Sequence, residues 1–523
     1  MAVNDVAASF RQVNKATAER LVGPQHTVIR LSQPVPPHAF AAHWLAPGAT
    51  RGLTLQRRKQ LLSLTAASGV LPNLEVALQA AGLVGGVAEA FGAAAGAGQL
   101  STCQWLRDYS RDTEDLRDAC RVGNALVAAA SGGQQHVCEW LLAINRNAPK
   151  DRAVIAAVCG GHANLAEWLL LQQGPITPIS ATSAQFLLIG VAHGCDLAAL
   201  QRAWLRFGPD LSPDQKADVL SSAAGSPTPD WAAKVEWLEA HGAPRNEHAA
   251  AEAAALPGVD GGVLARLALL RGRGYPIDDV AVTCAACGGN APALQYLLAV
   301  VPAGIIDYAA AARNAAHGGH LASLQALHAA GWHVHPDQPT LLEASAVWAA
   351  RGGHLHVLAW LEEVQLLPLH SGVSNAAAGS GSVEVLAWLA ARGCLTDYHA
   401  YSEAVYAGCE AALEWLVEQG CPMEDRGYPY VNACSNGDMA MARCLRRLGV
   451  PWGSEGRVFY AAAVAAAEES IDPLPLLRWM LQEGCPVDVV AVRRKVEERR
   501  CKMPQWAEQV LGLLEEHGGR RQA

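Results

Sequence analysis

Two textures of apolar residues alternate along most of the chain. An alanine-rich apolar stretch ends at Gly or Gly-Gly, one polar residue follows, and apolar residues then recur at i, i+3 and i+6. The stretch Ala349 to Leu361 reads AARGGHLHVLAWL. The same pattern returns at Ala94–Leu106, Ala129–Leu141, Ala157–Leu169, Ala285–Leu297 and Ala377–Leu389. Weaker copies surround Trp204, Trp237, Leu269, Ala326, Trp415, Cys444 and Trp479. One slot carries Trp105, Trp140, Trp168, Trp204, Trp237, Tyr296, Trp360, Trp388, Trp415 and Trp479, and its mean period is about 31 residues. Each unit predicts a helical hairpin. Gly closes the first helix, and the polar residue after it (His162, Asn290, His320, His354, Ser382, Asp438) stands at the N-cap of the second. A second Gly, followed in several units by an X-Pro pair, ends the second helix.

A hairpin of this length cannot bury both faces alone, so the units must stack on one another. The expected fold is all-α: a solenoid of about 13 stacked helical hairpins with a terminal capping helix, the anchor aromatics buried between hairpins. The "AA..GG(H/N/Q)L..L.WL...G.P" pattern resembles the second half of an ankyrin repeat over residues 61–488. Departures are the missing Thr-Pro-Leu-His signature, of which Thr340-Leu341-Leu342 is a faint echo, and Trp in place of Leu at the anchor. Residues 1–60 form an N-terminal segment. Its stretch Ala7-Ala8-Ser9-Phe10-Arg11-Gln12-Val13-Asn14-Lys15 resembles the closing helix of an F-box, without the opening Leu-Pro half. That resemblance implies a ubiquitin-ligase adaptor as partner. Residues 489–523, with Arg493, Arg494, Lys495, Arg499, Arg500 and Lys502, read as a solvated capping helix.

Composition narrows the picture. Of 523 residues, 51% are hydrophobic and 17% charged, enough apolar material for a large core. The net charge is −9, with a pI of about 6.1, whereas nucleic-acid binders carry a basic footprint; the expectation is no nucleic acid. The longest apolar run, Val458–Ala467, is too short for a transmembrane segment, and Met1–Arg11 has no apolar core of a signal peptide. The expected location is therefore intracellular, cytoplasmic with the nucleus as the alternative, and the 14 cysteines are expected to be reduced thiols.

Candidate chemistry is thin. Cys284 and Cys287 form a CxxC without a second ligand pair, and His317 and His320 flank a repeat turn. Cys394, Cys421 and Cys485 share one position after the repeat Gly, which is architectural. No phosphate loop, nucleophile elbow or HExxH occurs. The expectation is no metal, no cofactor and no enzyme: a protein–protein interaction scaffold with an unidentified protein partner. The alternatives are a ubiquitin-ligase substrate receptor and a metal-dependent phosphodiesterase or lipid hydrolase. In the ankyrin family the loops after the repeat Gly project toward the binding groove. Here those loops are aromatic, and Trp332, Tyr398, Tyr401, Tyr428, Tyr430 and Trp452, with Asp397, Asp425 and Arg426, form the candidate partner-binding strip.

Overall fold

The computed structural model describes residues 27–109, 118–172, 181–256, 262–332, 340–365, 370–423, 426–453, 456–469, 474–501 and 503–522, together with Asn4 and Gly23. Among these residues the regular elements are thirty-one α-helices and the 3-10 turn Ala303–Ile305, with no strand. From Leu55 onward they pair into fifteen hairpins. Thirteen correspond to the anchors read from the sequence. The other two lie at the ends: Leu55–Ala67 with Leu71–Ala81, and Val489–Arg499 with Pro504–Gln522. The terminal cap is thus a pair of helices rather than one.

The chain divides into two compact units. One comprises residues 95–98 and Val122–Leu369; the other comprises Met1–Ala94, Gln99–Arg121 and His370–Ala523. In each, the first helices of successive hairpins pack in one layer. Asp151–Cys159 lies on Ala181–Gly194 and Tyr308–His317 on Thr340–Arg351 in the first unit; Ser371–Ser380 lies on Tyr398–Ala407 in the second. Alanine permits this, because small side chains let helix axes approach. Ala311, Ala312, Ala315 and Ala316 have no exposed surface. The second helices form the other layer and bury the same three positions in most hairpins, for instance Val357, Leu358 and Leu361, or Val385, Leu386 and Leu389, some burying one or two residues more.

That pattern corrects the expectation for the anchors. Trp105, Trp140, Trp168, Trp237, Tyr296, Trp360, Trp388, Trp415 and Trp479 are half-buried, and only Trp204 is fully buried. The core is filled by the residues three and two before the anchor and the one after it. The anchor ring lies at the margin, where polar groups reach it: the Arg392 guanidinium sits 3.7 Å from the Trp388 ring, and His328 stands edge-on to Trp360 at 5.9 Å.

The turns follow the sequence reading in their glycines and depart from it in their histidines. At Gly353 the chain closes with paired bonds from His354 N to Ala349 O (2.9 Å) and from Gly353 N to Ala350 O (3.0 Å), the Schellman pattern. Asn290, Ser382 and Asp438 cap their helices through the side chain, whereas His162 and His320 make no such bond. The histidines instead cover the preceding repeat. Gly319 has φ +73°, and a β-carbon there would stand 2.5 Å from Nδ1 of His354. The fit between neighbouring repeats, as well as the turn, excludes a side chain at that position.

In the second unit the hairpin Leu55–Ala81 meets hairpins far downstream in sequence. Helix Leu55–Ala67 runs through residue 60 and lies, with the loops flanking its hairpin, on the turns of hairpins some 350 residues downstream. Arg58, 1% exposed, donates to Ala81 O (2.9 Å), Gly408 O (2.8 Å) and both carboxylate oxygens of Asp438, also 1% exposed. Asp438 is at the same time the N-cap of Met439–Arg447, accepting from Met441 N at 3.0 Å. Backbone bonds run alongside: Val84 N to Gly437 O (2.7 Å), Ala440 N to Gly82 O (3.2 Å) and Ala411 N to Arg51 O (3.0 Å). Gly408, at φ +69°, leaves the space this contact needs, since a β-carbon would stand 2.7 Å from that of Leu55.

Candidate partner-binding site

The structure divides the aromatic strip proposed from the sequence. Tyr401 and Tyr430 are fully buried and Trp452 nearly so; Trp332 is buried in the other unit. Tyr430 stacks on Trp452 with 4.0 Å between ring centroids and donates its hydroxyl to Val450 O (3.1 Å). Burial pushes the phenols of Tyr401 and Tyr430 well up from their ordinary range. Tyr401 and Tyr430 lie inside the helices Tyr398–Ala407 and Tyr428–Ser435, not in loops, and all four rings are buried away from a partner, because each gains more from its neighbours than from water. Tyr398 and Tyr428 remain half-exposed and Arg426 is exposed. Asp397 is spent as a cap, accepting from His399 N (2.8 Å) and Asn375 Nδ2 (3.0 Å). Asp425 lies outside the described residues, as do Ala7–Lys15, so the F-box resemblance has no structural counterpart to compare.

One group of potential metal ligands exists among the described residues: Glu410, Glu414 and Cys444, whose donor atoms lie within 4.8 Å of one another. Arg447 already pairs with both carboxylates and Arg51 with Glu414. Burial pushes the Cys444 thiol up to about 12, so a metal would have to displace both a proton and a guanidinium. Elemental analysis of purified protein is therefore expected to find no stoichiometric zinc; about one per chain would contradict this. The other thiols sort by burial. Cys103 and Cys138 are buried and held near 12, while Cys159, Cys287 and Cys501 are exposed. Brief iodoacetamide treatment of the native protein is expected to alkylate the exposed three and spare the buried two, as read by peptide mass spectrometry.

A concave site appears where the repeat departs from its own rule. In most hairpins the anchor stands six residues after the residue preceding the second helix: Gln134 and Trp140, His162 and Trp168, Asn290 and Tyr296, Ser382 and Trp388. In helix Leu197–Phe207, capped by Asp196, six residues lead to Arg202, and Trp204 lies two further on. Burial agrees: the buried pair ahead of the slot is Leu165–Ala166 in one helix and Ala199–Leu200 in the next, which again places Arg202 at the slot. Trp204 turns to the other side, edge-on to Trp237 at 5.9 Å. The neighbouring helix Ala163–Leu171 has Ala166 where Leu294, Leu358, Leu386 and Leu413 stand in other repeats.

A missing leucine on one wall and a missing tryptophan on the other leave an apolar groove of about 390 Å³. Its floor is Val158, Leu187 and Val191; Ala163, Ala166, Ala199 and Ala203 form much of its walls. Arg202 and Arg206 line it, and Glu167 lies 4.0 Å from Arg202 across an exposed pair. A second cavity of about 540 Å³ shares Ala163, Ala199 and Arg202 and continues over the polar turns at Gly161, His162, Gly194 and Asp196. Sequence reading missed this site because it aligned Trp204 with the other tryptophans. Counting from the cap residue Asp196 instead of from the indole would have exposed the two-residue offset.

The geometry defines an all-helical repeat protein with a groove between two second helices. No protein-family model matches the chain, and no curated protein matches it. Solved structures that match include the pentatricopeptide repeat protein PPR10 from maize, at 12% identity over 99% of this chain and 83% of that one, with a TM-score of 0.27. The same protein in complex with an 18-nt psaJ RNA element matches at 12% identity over 92% of this chain and 87% of that one, also at 0.27. The ankyrin and F-box readings therefore remain resemblances. The expectation of no nucleic acid is corrected: one of the structures the chain matches is a complex with RNA. Among the described residues no helix is long and apolar enough to cross a membrane.

Proposed function

We propose that the chain is a non-catalytic, ankyrin-like repeat scaffold that binds a protein partner inside the cell. The observation that carries this reading is the division of labour within the repeat. Stacking consumes the same few slots in hairpin after hairpin, and the local departure in helix Leu197–Phe207 opens a groove with exposed arginines instead of converging acids and bases. In a solenoid, positions released from stacking are the ones that can specialise for recognition. Proximity labelling in cells, followed by reconstitution of the purified full chain with each candidate, is expected to yield a stoichiometric protein complex. Turnover in a phosphodiesterase and lipase panel, with and without divalent metal, would overturn the reading. So would an RNA oligonucleotide that binds while every protein candidate fails.

A further inference from the structure

The groove between helices Ala163–Leu171 and Leu197–Phe207 is walled by one face of each helix. Each wall offers one face of a helix at the same spacing: residues 163, 166, 167, 170 and 171 on one side, and 199, 202, 203, 206 and 207 on the other. This i, i+3, i+4, i+7, i+8 pattern is what a helix presents to another helix packed along it. Each wall runs nine residues, eight steps or about 12 Å, a little over two turns. Alanines at four wall positions admit the backbone of a visitor closely, and the apolar floor receives its side chains. The cavity lies within the usual range of about 300–1,000 Å³ for a specific site. Leu171 at its edge is 79% exposed.

Charge selects the visitor. Arg206 touches the Phe207 ring at 4.9 Å, and no carboxylate among the described residues pairs with it. Arg202 has only Glu167, at the outer limit of an ion pair and well exposed. Exposed pairs of this kind are weak, so both guanidiniums are available to a carboxylate that arrives on a ligand. We propose, building on the scaffold reading, that the groove seats one amphipathic helix of a partner protein. Its apolar residues at i, i+3, i+4 and i+7 face Val158, Leu187 and Val191, and its acidic residues flank Arg202 and Arg206.

The repeat itself supplies a well-behaved negative control. Ala166→Leu with Arg202→Trp restores the residues that stand at these slots in other hairpins, so the double variant fills the groove while keeping a fold the chain already uses. The probe is a short fluorescent designed helix, leucine at i, i+3, i+4 and i+7 and glutamate elsewhere, against a lysine counterpart. Anisotropy with the full chain is expected to show binding of the glutamate peptide and at least tenfold weaker binding of the lysine peptide. The repaired variant, with unchanged helical circular dichroism, is expected to lose the glutamate peptide by tenfold or more. Arg202→Glu with Arg206→Glu is expected to reverse the preference, and serves if the repaired variant fails to fold. The proposal is overturned if neither peptide binds, if the repaired variant binds as the parent does, or if sodium dodecanoate alone occupies the groove. A partner protein that binds parent and repaired variant equally would sink the groove while leaving the scaffold reading intact.

Discussion

Asp438→Ala is expected to destabilise the unit containing both chain ends by about 3–5 kcal/mol. The substitution leaves the Arg58 guanidinium buried at 1% exposure with only the carbonyls of Ala81 and Gly408, and it removes the cap of Met439–Arg447. A buried charge stripped of its partner costs far more than the pair contributes, because desolvation of the remaining ion is uncompensated. Asp438→Asn keeps the cap and loses the charge, so it should fall between the parent and Asp438→Ala. Arg58→Met combined with Asp438→Asn removes both charges and should recover much of the loss; the double-mutant cycle then reads the coupling directly. Denaturant unfolding, followed by hydrogen exchange at residues 55–81 and 428–447, distinguishes this from a local defect. A change under about 1 kcal/mol in Asp438→Ala would show that the contact does not hold the segment.

The second large effect separates the slot that looks important from the slot that is. Leu358→Ala should cost about 2–5 kcal/mol in its unit, since Leu358 is 1% exposed and its removal leaves a cavity between hairpins. Trp360→Ala, two residues on, should cost less despite removing a larger side chain. The indole is half-buried, and part of its contact is with His328 at the edge of the stack. Hydrogen-exchange protection of Tyr308–His317 and Leu355–Gln365, compared between the variants, gives the ranking. The reverse order would return the tryptophans to the core. In a repeat array such effects are local, so the comparison belongs to neighbouring hairpins rather than to one global transition.

Period and chemistry by themselves determined the hairpins. A helix of Ala-rich texture, a left-handed Gly and a second helix with apolar residues in step are local properties, each readable within about 31 residues. The all-α class, the hairpin boundaries and the glycine turns follow from them. Tertiary structure decided what depends on neighbours. Which of two apolar slots faces the core turned on the packing of second helices, and it moved the tryptophans to the margin. Whether an aromatic near a turn faces a partner or the core depended on the packing around it, which buried Tyr401, Tyr430 and Trp452. The two-residue displacement of Trp204 that opens the groove became visible only against the cap and burial of its own helix. Most of all, Arg58 and Asp438 are an unremarkable basic and an unremarkable acidic residue in sequence. Nothing local marks them as partners, because 380 residues separate the two halves of a contact that the fold alone brings together.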